Sequence, residues 1–179
     1  MIKYIKGDLF THTPSSRSAI SIFAHACNCR GSWGGGIATV FYRKFPSAYK
    51  IYADYCSTHA DDPSKLLGTT LLIPSSSSDP GNENGQKIVY VACLFTSDFY
   101  GKKKLTPGDI AANTDLSMKD LDTQLELLKE EKEIESTDQG EVVVNMPKIN
   151  AGLFAVPWEI TEDVLNKFNN LHINVYVVD

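Results

Sequence analysis

The stretch from Ile20 to Ala38 (Ile-Ser-Ile-Phe-Ala-His-Ala-Cys-Asn-Cys-Arg-Gly-Ser-Trp-Gly-Gly-Gly-Ile-Ala) limits the possible folds more than any other in the chain. Its apolar run from Ala19 to Ala24 has the length and β-branched content of a buried strand. His25, Cys27, Asn28 and Cys29 stand where that strand is expected to end, ahead of Gly31 and the triplet Gly34-Gly35-Gly36. A helix-compatible segment begins near Ile37. Strand, glycine loop and helix in succession present backbone N–H groups to an anion. Glycine allows close backbone approach, and the helix start adds unpaired donors with a partial positive charge. A flexible linker would show neither the apolar flanks nor Trp33 among its glycines. The loop lacks the Gly-Lys-Ser/Thr ending of a P-loop and the G-x-G-x-x-G spacing of dinucleotide folds. Its glycines therefore gain meaning only together with the His-x-Cys-Asn that precedes them.

Such a strand needs partners, and the chain supplies them. Ile2 to Ile5 alternates and ends at Gly7-Asp8-Leu9, where Asp8 reads either as a turn residue or as an acceptor for an exocyclic amine. Residues 11–18 read as loop, with His12 expected in solvent. Ile37 to Phe45 and Pro46 to Tyr55 read as successive helices, with Pro46 suited to a first helical turn. Leu66 to Ile73 is a strand broken at Pro74, and Ser75 to Gln86 reads as an exposed, disordered or hairpin-like connection. Lys87 to Phe95 is nearly all apolar, the pattern of a central strand covered on both faces. A helix is expected from about Thr114 to Lys132, a strand over Val142–Met146, a small-residue loop over Lys148–Phe154, a helix over Trp158–Phe168 and a closing strand over Ile173–Val178. About six strands with helices between them specify an α/β layer fold. Ligands in such sheets bind beyond the carboxyl ends of the strands, which picks out Gly7–Leu9, His25–Gly36, Thr96–Gly101 and Asn150–Phe154.

Composition narrows the function. At 179 residues the chain suits a single domain over 1–179. A net charge of −5 argues against a basic nucleic-acid surface, and Lys102-Lys103-Lys104 is too short a cluster to supply one. The four cysteines form no C-x-x-C pair and read as buried, reduced thiols of an intracellular protein. No apolar run is long enough to span a bilayer, and no signal-peptide pattern opens the chain.

Three groups of residues together resemble the macro domain, an ADP-ribose-binding module: Gly7-Asp8-Leu9, Asn28 with Gly34-Gly35-Gly36-Ile37-Ala38, and Pro147-x-Ile149-Asn150-Ala151-Gly152-Leu153-Phe154. His25-x-Cys27-Asn28-Cys29, Ser32-Trp33, Cys93-Leu94-Phe95-Thr96-Ser97 and Val156-Pro157-Trp158 are similar to the branch that dephosphorylates ADP-ribose 1″-phosphate. The resemblance implies a three-layer α/β/α fold around a mixed, mostly parallel sheet of about six strands. It implies a monomer that binds ADP-ribose, its 1″-phosphate or a mono-ADP-ribosylated protein, with no cofactor and no metal. By the same resemblance, Asp8 takes the adenine amine, with the Gly7 and Leu9 backbone beside the ring. Asn28 takes the distal ribose, and Ala26, Cys27, Ser32 and Trp33 belong to the same wall. The Gly34–Ala38 amides cradle the distal phosphate, and Asn150, Ala151, Gly152, Leu153 and Phe154 wrap the diphosphate.

The chemistry is less constrained by sequence. His25 reads as a general acid/base or transient phosphoryl acceptor, or else as a buried, hydrogen-bonded core residue. Thr96 and Ser97 read as phosphate or ribose hydrogen-bonders. No Cys-x5-Arg loop follows Cys27 or Cys29, which disfavours a thiolate nucleophile. A related branch removes ADP-ribose from glutamate with a lysine and an aspartate, and Ser97 and Phe154 occupy those places here. The alternatives to the phosphatase are thus a mono-ADP-ribosyl hydrolase working by another route and a non-catalytic ADP-ribose reader.

Overall fold

A computed structural model describes residues 1–99 and 105–178. The Lys102–Lys104 cluster and the Tyr100-Gly101 end of one expected site loop lie outside the described residues. The six strands are β1 (Ile2–Lys6), β2 (Ile20–Cys27), β3 (Thr70–Pro74), β4 (Ile88–Phe95), β5 (Val142–Met146) and β6 (Leu171–Val177). They form one sheet in the order β1-β6-β5-β2-β4-β3, in which only β3 runs antiparallel to its neighbour. The helices are α1 (Ile37–Lys44), α2 (Pro46–Ser57), α3 (Pro107–Lys129) and α4 (Trp158–Leu165).

Strand periodicity builds the three layers. On β2, Ile22 and Ala24 face a core shared with Met118, Leu121 and Leu125 of α3 and with Val164 and Leu165 of α4. Phe23 and Cys27 point the other way, into a core with Phe41 of α1 and Tyr52 of α2. β2 does not stop at Ala24 but pairs with β4 as far as Cys27, opposite Phe95. That continuation places His25 and Cys27 within the strand, on the α1–α2 side.

Three further expectations change. Helix α3 starts at Pro107, ahead of Thr114, because Thr106 Oγ1 accepts the Asp109 N–H at 3.2 Å and Pro107 takes the first helical turn. The connection from β3 to β4 is ordered. The buried Asp79 carboxylate accepts from the Ser47 N–H (3.2 Å), the Ser47 hydroxyl and the Ser76 N–H (3.1 Å). Asn82 Nδ2 donates to Ser75 Oγ and the Ser76 carbonyl, and Lys87 Nζ reaches the Phe10 carbonyl at 3.1 Å. His12 is not solvated either. Its Nδ1 lies 2.8 Å from the Tyr176 hydroxyl and its Nε2 2.8 Å from Glu135, tying the loop after β1 to β6.

Candidate functional site

β1, β6, β5, β2 and β4 all run the same way, so their carboxyl ends share one edge. A cavity of about 180 Å³ opens there between the loops after β2 and β5.

The first wall is the loop from Asn28 to Ala38. Asn28 organises it: its Oδ1 accepts the Arg30 N–H at 2.9 Å, and its Nδ2 donates to the Ser32 carbonyl at 2.7 Å. Helix α2 braces the loop from behind. The Tyr52 hydroxyl donates to the Asn28 carbonyl at 2.6 Å, and the Tyr49 hydroxyl to the Gly31 carbonyl at 2.9 Å. Trp33 stacks on Tyr52 with ring centroids 5.0 Å apart, and its buried indole N–H meets no acceptor. From the side, Arg30 makes a two-pronged pair with Asp98 at 2.9 Å per contact, and Cys29 N–H donates to the Asp98 carbonyl. The loop thus hangs from the ends of both central strands. Gly36, at φ 61° and ψ −146°, adopts a backbone open to glycine alone, and α1 begins directly after it without a side-chain cap. The Ile37 and Ala38 N–H groups that open α1 have no intrahelical partner, and the Thr39 N–H donates to the Gly36 carbonyl at 3.2 Å.

The second wall, Pro147 to Phe154, is held by Asn150, a non-glycine residue at φ 67°. Its buried amide accepts from Thr96 Oγ1 at 2.8 Å and donates to Thr114 Oγ1 at 3.0 Å and Thr161 Oγ1 at 3.3 Å. Its carbonyl accepts the Val156 N–H, closing the loop on itself. Phe154 seats its ring against Ile110 and Val156. The two walls approach so closely that a Cβ on Gly35 would lie 2.6 Å from Leu153 Cδ1.

Of the residues expected at a site, Ala26, Cys27, Asn28, Ser32, Trp33, Gly35, Gly36, Ile37, Asn150, Gly152, Leu153 and Phe154 line the cavity. Gly34 and Ala151 sit exposed beside it on the same loops. Gly7, Asp8 and Leu9 lie outside it, at the end of the edge strand β1, and Asp8 Oδ1 accepts the Phe10 N–H at 2.9 Å as a cap. Thr96 and Ser97 are fully buried and do not line the cavity. Thr96 donates to Asn150, and Ser97 donates to the Phe99 carbonyl at 2.8 Å. His25 does not reach the cavity. It is fully buried, stacked on Phe41 at 3.9 Å with rings 5° apart, and in edge contact with Trp33 at 4.8 Å. The geometry gives it the core reading, because β2 parity turns it under α1.

Sequence reasoning passed over Lys148, the only charged residue lining the cavity among the described residues. It lies between Pro147 and Ile149, two residues that did attract attention, and an isolated lysine in a loop carries no signal. Tyr52, Thr114 and Thr161 were missed for another reason: they act on the site from helices, behind it. Cys27 faces the cavity as a thiol, since burial and a hydrogen bond to Cys93 push its pKa well above the ordinary value.

A macro domain model matches residues 24–165. Over its full 179 residues the chain is 99% identical to the ADP-ribose 1″-phosphate phosphatase of Debaryomyces hansenii, covering all of that protein. It is 58% identical over 177 residues to the same-named protein of Meyerozyma guilliermondii, covering 99% of this chain and 98% of that one. Among solved structures, the macrodomain of Mycobacterium tuberculosis DarG superposes with a TM-score of 0.67 at 19% identity, over 98% of this chain and 97% of that one. Thermosipho africanus DarTG in complex with ADP-ribose superposes with a TM-score of 0.66 at 15% identity, over 99% of this chain and 41% of that one. With its sheet order, its two cavity loops and the family model over residues 24–165 in agreement, the chain belongs to the macro domain family.

Proposed function

We propose that the chain hydrolyses ADP-ribose 1″-phosphate to ADP-ribose and inorganic phosphate. The observation that carries this reading is the cavity itself, at the shared strand edge between the glycine loop and the Pro147–Phe154 loop, in a chain 99% identical to a protein named for that reaction. An acidic protein can hold a diphosphate this way because amide N–H groups and a helix start supply the positive potential.

In this reading the Gly34–Ala38 amides and the start of α1 cradle the distal phosphate and hold the end carrying the scissile group, and Asn150 to Phe154 wraps the diphosphate from the other side. Asn28 donates one of its two amide hydrogens to Ser32, which leaves the other for the distal ribose. Asp8 keeps its second carboxylate oxygen for the adenine amine. It lies three strand spacings from β2, about 14 Å, a span suited to an extended adenosine diphosphate. Hydrolysis breaks the phosphate ester with water as nucleophile, and charge builds on the phosphoryl oxygens in the transition state. Backbone donors and Lys148 are the groups placed to stabilise that charge. His25 contributes by packing beneath the loop. Phosphate release from ADP-ribose 1″-phosphate, measured alongside calorimetric binding of ADP-ribose, tests the reading. Binding without release would leave a reader, and absence of both would remove the site.

A second reading rests on the cavity mouth, where Ile37 and Leu153 are exposed. A substituent larger than phosphate could leave the distal ribose there, so removal of mono-ADP-ribose from proteins remains a reading to test by loss of label from a modified protein. The cavity is completed by one chain, which fits a monomer, and the four buried free thiols fit a reducing, intracellular compartment.

A further inference from the structure

Beneath the cavity floor, three soft ligand groups converge that the proposed reaction does not use. The β2–β4 register sets His25 opposite Cys93, and Cys27 lies two residues further along β2. Period-two alternation turns all three side chains to the face under α1 and α2. One donor atom from each lies within 4.8 Å of the others, and Cys27 Sγ is 3.5 Å from His25 Nε2. Tetrahedral zinc, with bonds of about 2.3 Å to sulfur and 2.0–2.1 Å to nitrogen, needs a sulfur–nitrogen edge of about 3.6 Å. The Cys27–His25 edge is close to that value, and Cys93 Sγ lies within 4.8 Å of both donor atoms.

We propose that His25, Cys27 and Cys93 form a binding site for a soft divalent d10 cation of the zinc–cadmium class. The chemistry selects this class. Two thiols and an imidazole suit soft ions, and with no carboxylate in the cluster it offers nothing to calcium or magnesium. All three residues are buried, so the charge of the ion must be cancelled locally. Two thiolates cancel a divalent cation, whereas a monovalent one would leave a buried negative charge. Binding forms two metal–sulfur bonds and one metal–nitrogen bond and expels both thiol protons to water. The imidazole stays neutral, and no group is oxidised or reduced. Entry is from the cavity, since Cys27 lies on its wall while His25 and Cys93 lie behind it.

The test is a titration of the reduced, metal-free full chain with Cd²⁺, followed through the ultraviolet charge-transfer absorbance of cadmium thiolates. The expected result is saturation at one ion per chain and competition by Zn²⁺. Cys93→Ala should weaken binding by roughly tenfold or more, whereas Cys56→Ala should bind like the wild type. No saturable band in the wild type, an affinity unchanged in Cys93→Ala, or a band lost in Cys56→Ala would each overturn the site. If Cys93→Ala fails to fold, X-ray absorption at the cadmium edge of the wild type decides instead. Two sulfurs and an imidazole nitrogen in the first shell support the site, and an all-sulfur or all-oxygen shell rejects it.

Discussion

His25 and Gly35 show how two residues of one motif divide between packing and ligand. His25 fills a slot between Phe41, Trp33 and Cys27, so His25→Ala leaves a cavity in the core beneath the glycine loop. The expected cost is about 3 kcal/mol of stability, in line with other large-to-small aromatic truncations. Turnover by the folded fraction should stay within roughly tenfold of wild type, because the side chain does not reach the ligand. Urea unfolding and phosphate release on the same preparation check this; a much larger loss of turnover with intact ADP-ribose binding would return His25 to the chemistry. Gly35 is the opposite case. It is absent from the positive-φ glycines, so a side chain is tolerated by its backbone, yet its Cβ would press on Leu153 at the cavity mouth. Gly35→Glu puts a carboxylate where the distal phosphate of the diphosphate is proposed to lie, and like charges so placed cost several kcal/mol. ADP-ribose affinity and turnover should both fall by roughly a hundredfold or more, with the unfolding midpoint nearly unchanged, as calorimetry and denaturation would show.

At the scale of elements, the site is a pair of loops, each held by one buried polar residue. Asn150 holds the second wall, and its loss would take the acceptor from the Thr96 hydroxyl and the donor from the Thr161 hydroxyl while asking alanine to keep φ near 67°. Asn150→Ala should cost about 3 kcal/mol, from unpaired buried groups plus left-handed backbone strain. The loop should loosen as a unit, weakening ADP-ribose binding roughly tenfold or more; calorimetry with thermal unfolding separates the two effects. Asp79 plays the same part far from the ligand. Asp79→Ala should cost about 2 kcal/mol by unpairing Ser47 and Ser76 while leaving turnover unchanged, which the same two assays check. These elements also mark how much was readable in advance. The glycine triplet and the Asn150–Phe154 loop were legible because each uses residues with few other local purposes. The burial of His25 was legible only to a reader who carried the β2 alternation past Ala24, as the pairing with β4 does. Asp79 was opaque, because Ser, Asn, Gly and Asp in a row have the composition of a disordered segment. What orders them is Ser47, thirty-two residues away on α2.

For the whole molecule, the parallel sheet that gathers the site also buries its thiols. Cys27, Cys29, Cys56 and Cys93 are all free and buried. Burial raises the pKa of Cys27 and of Cys29, and it pushes Cys56 up to about 11 from an ordinary 9.0. It likewise raises Tyr52. In the unfolded chain these groups lose their protons near the ordinary value, while the folded protein retains them. Above that value the folded state binds more protons than the unfolded one, so stability falls as pH rises. The stabilisation is complete below the ordinary thiol pKa of 9.0, begins to be lost above it, and for Cys56 is gone once pH passes about 11. Cys27 and Cys29 extend the decline to higher pH. The urea midpoint should therefore fall steeply from about pH 9 upward, and the double variant Cys29→Ala/Cys56→Ala should fall less steeply over the same window. A wild-type midpoint that stayed flat to pH 11 would mean that the thiols ionise inside the fold. Cys27 would then face the cavity as a thiolate, and the neutral, amide-built character of the anion site would have to be abandoned.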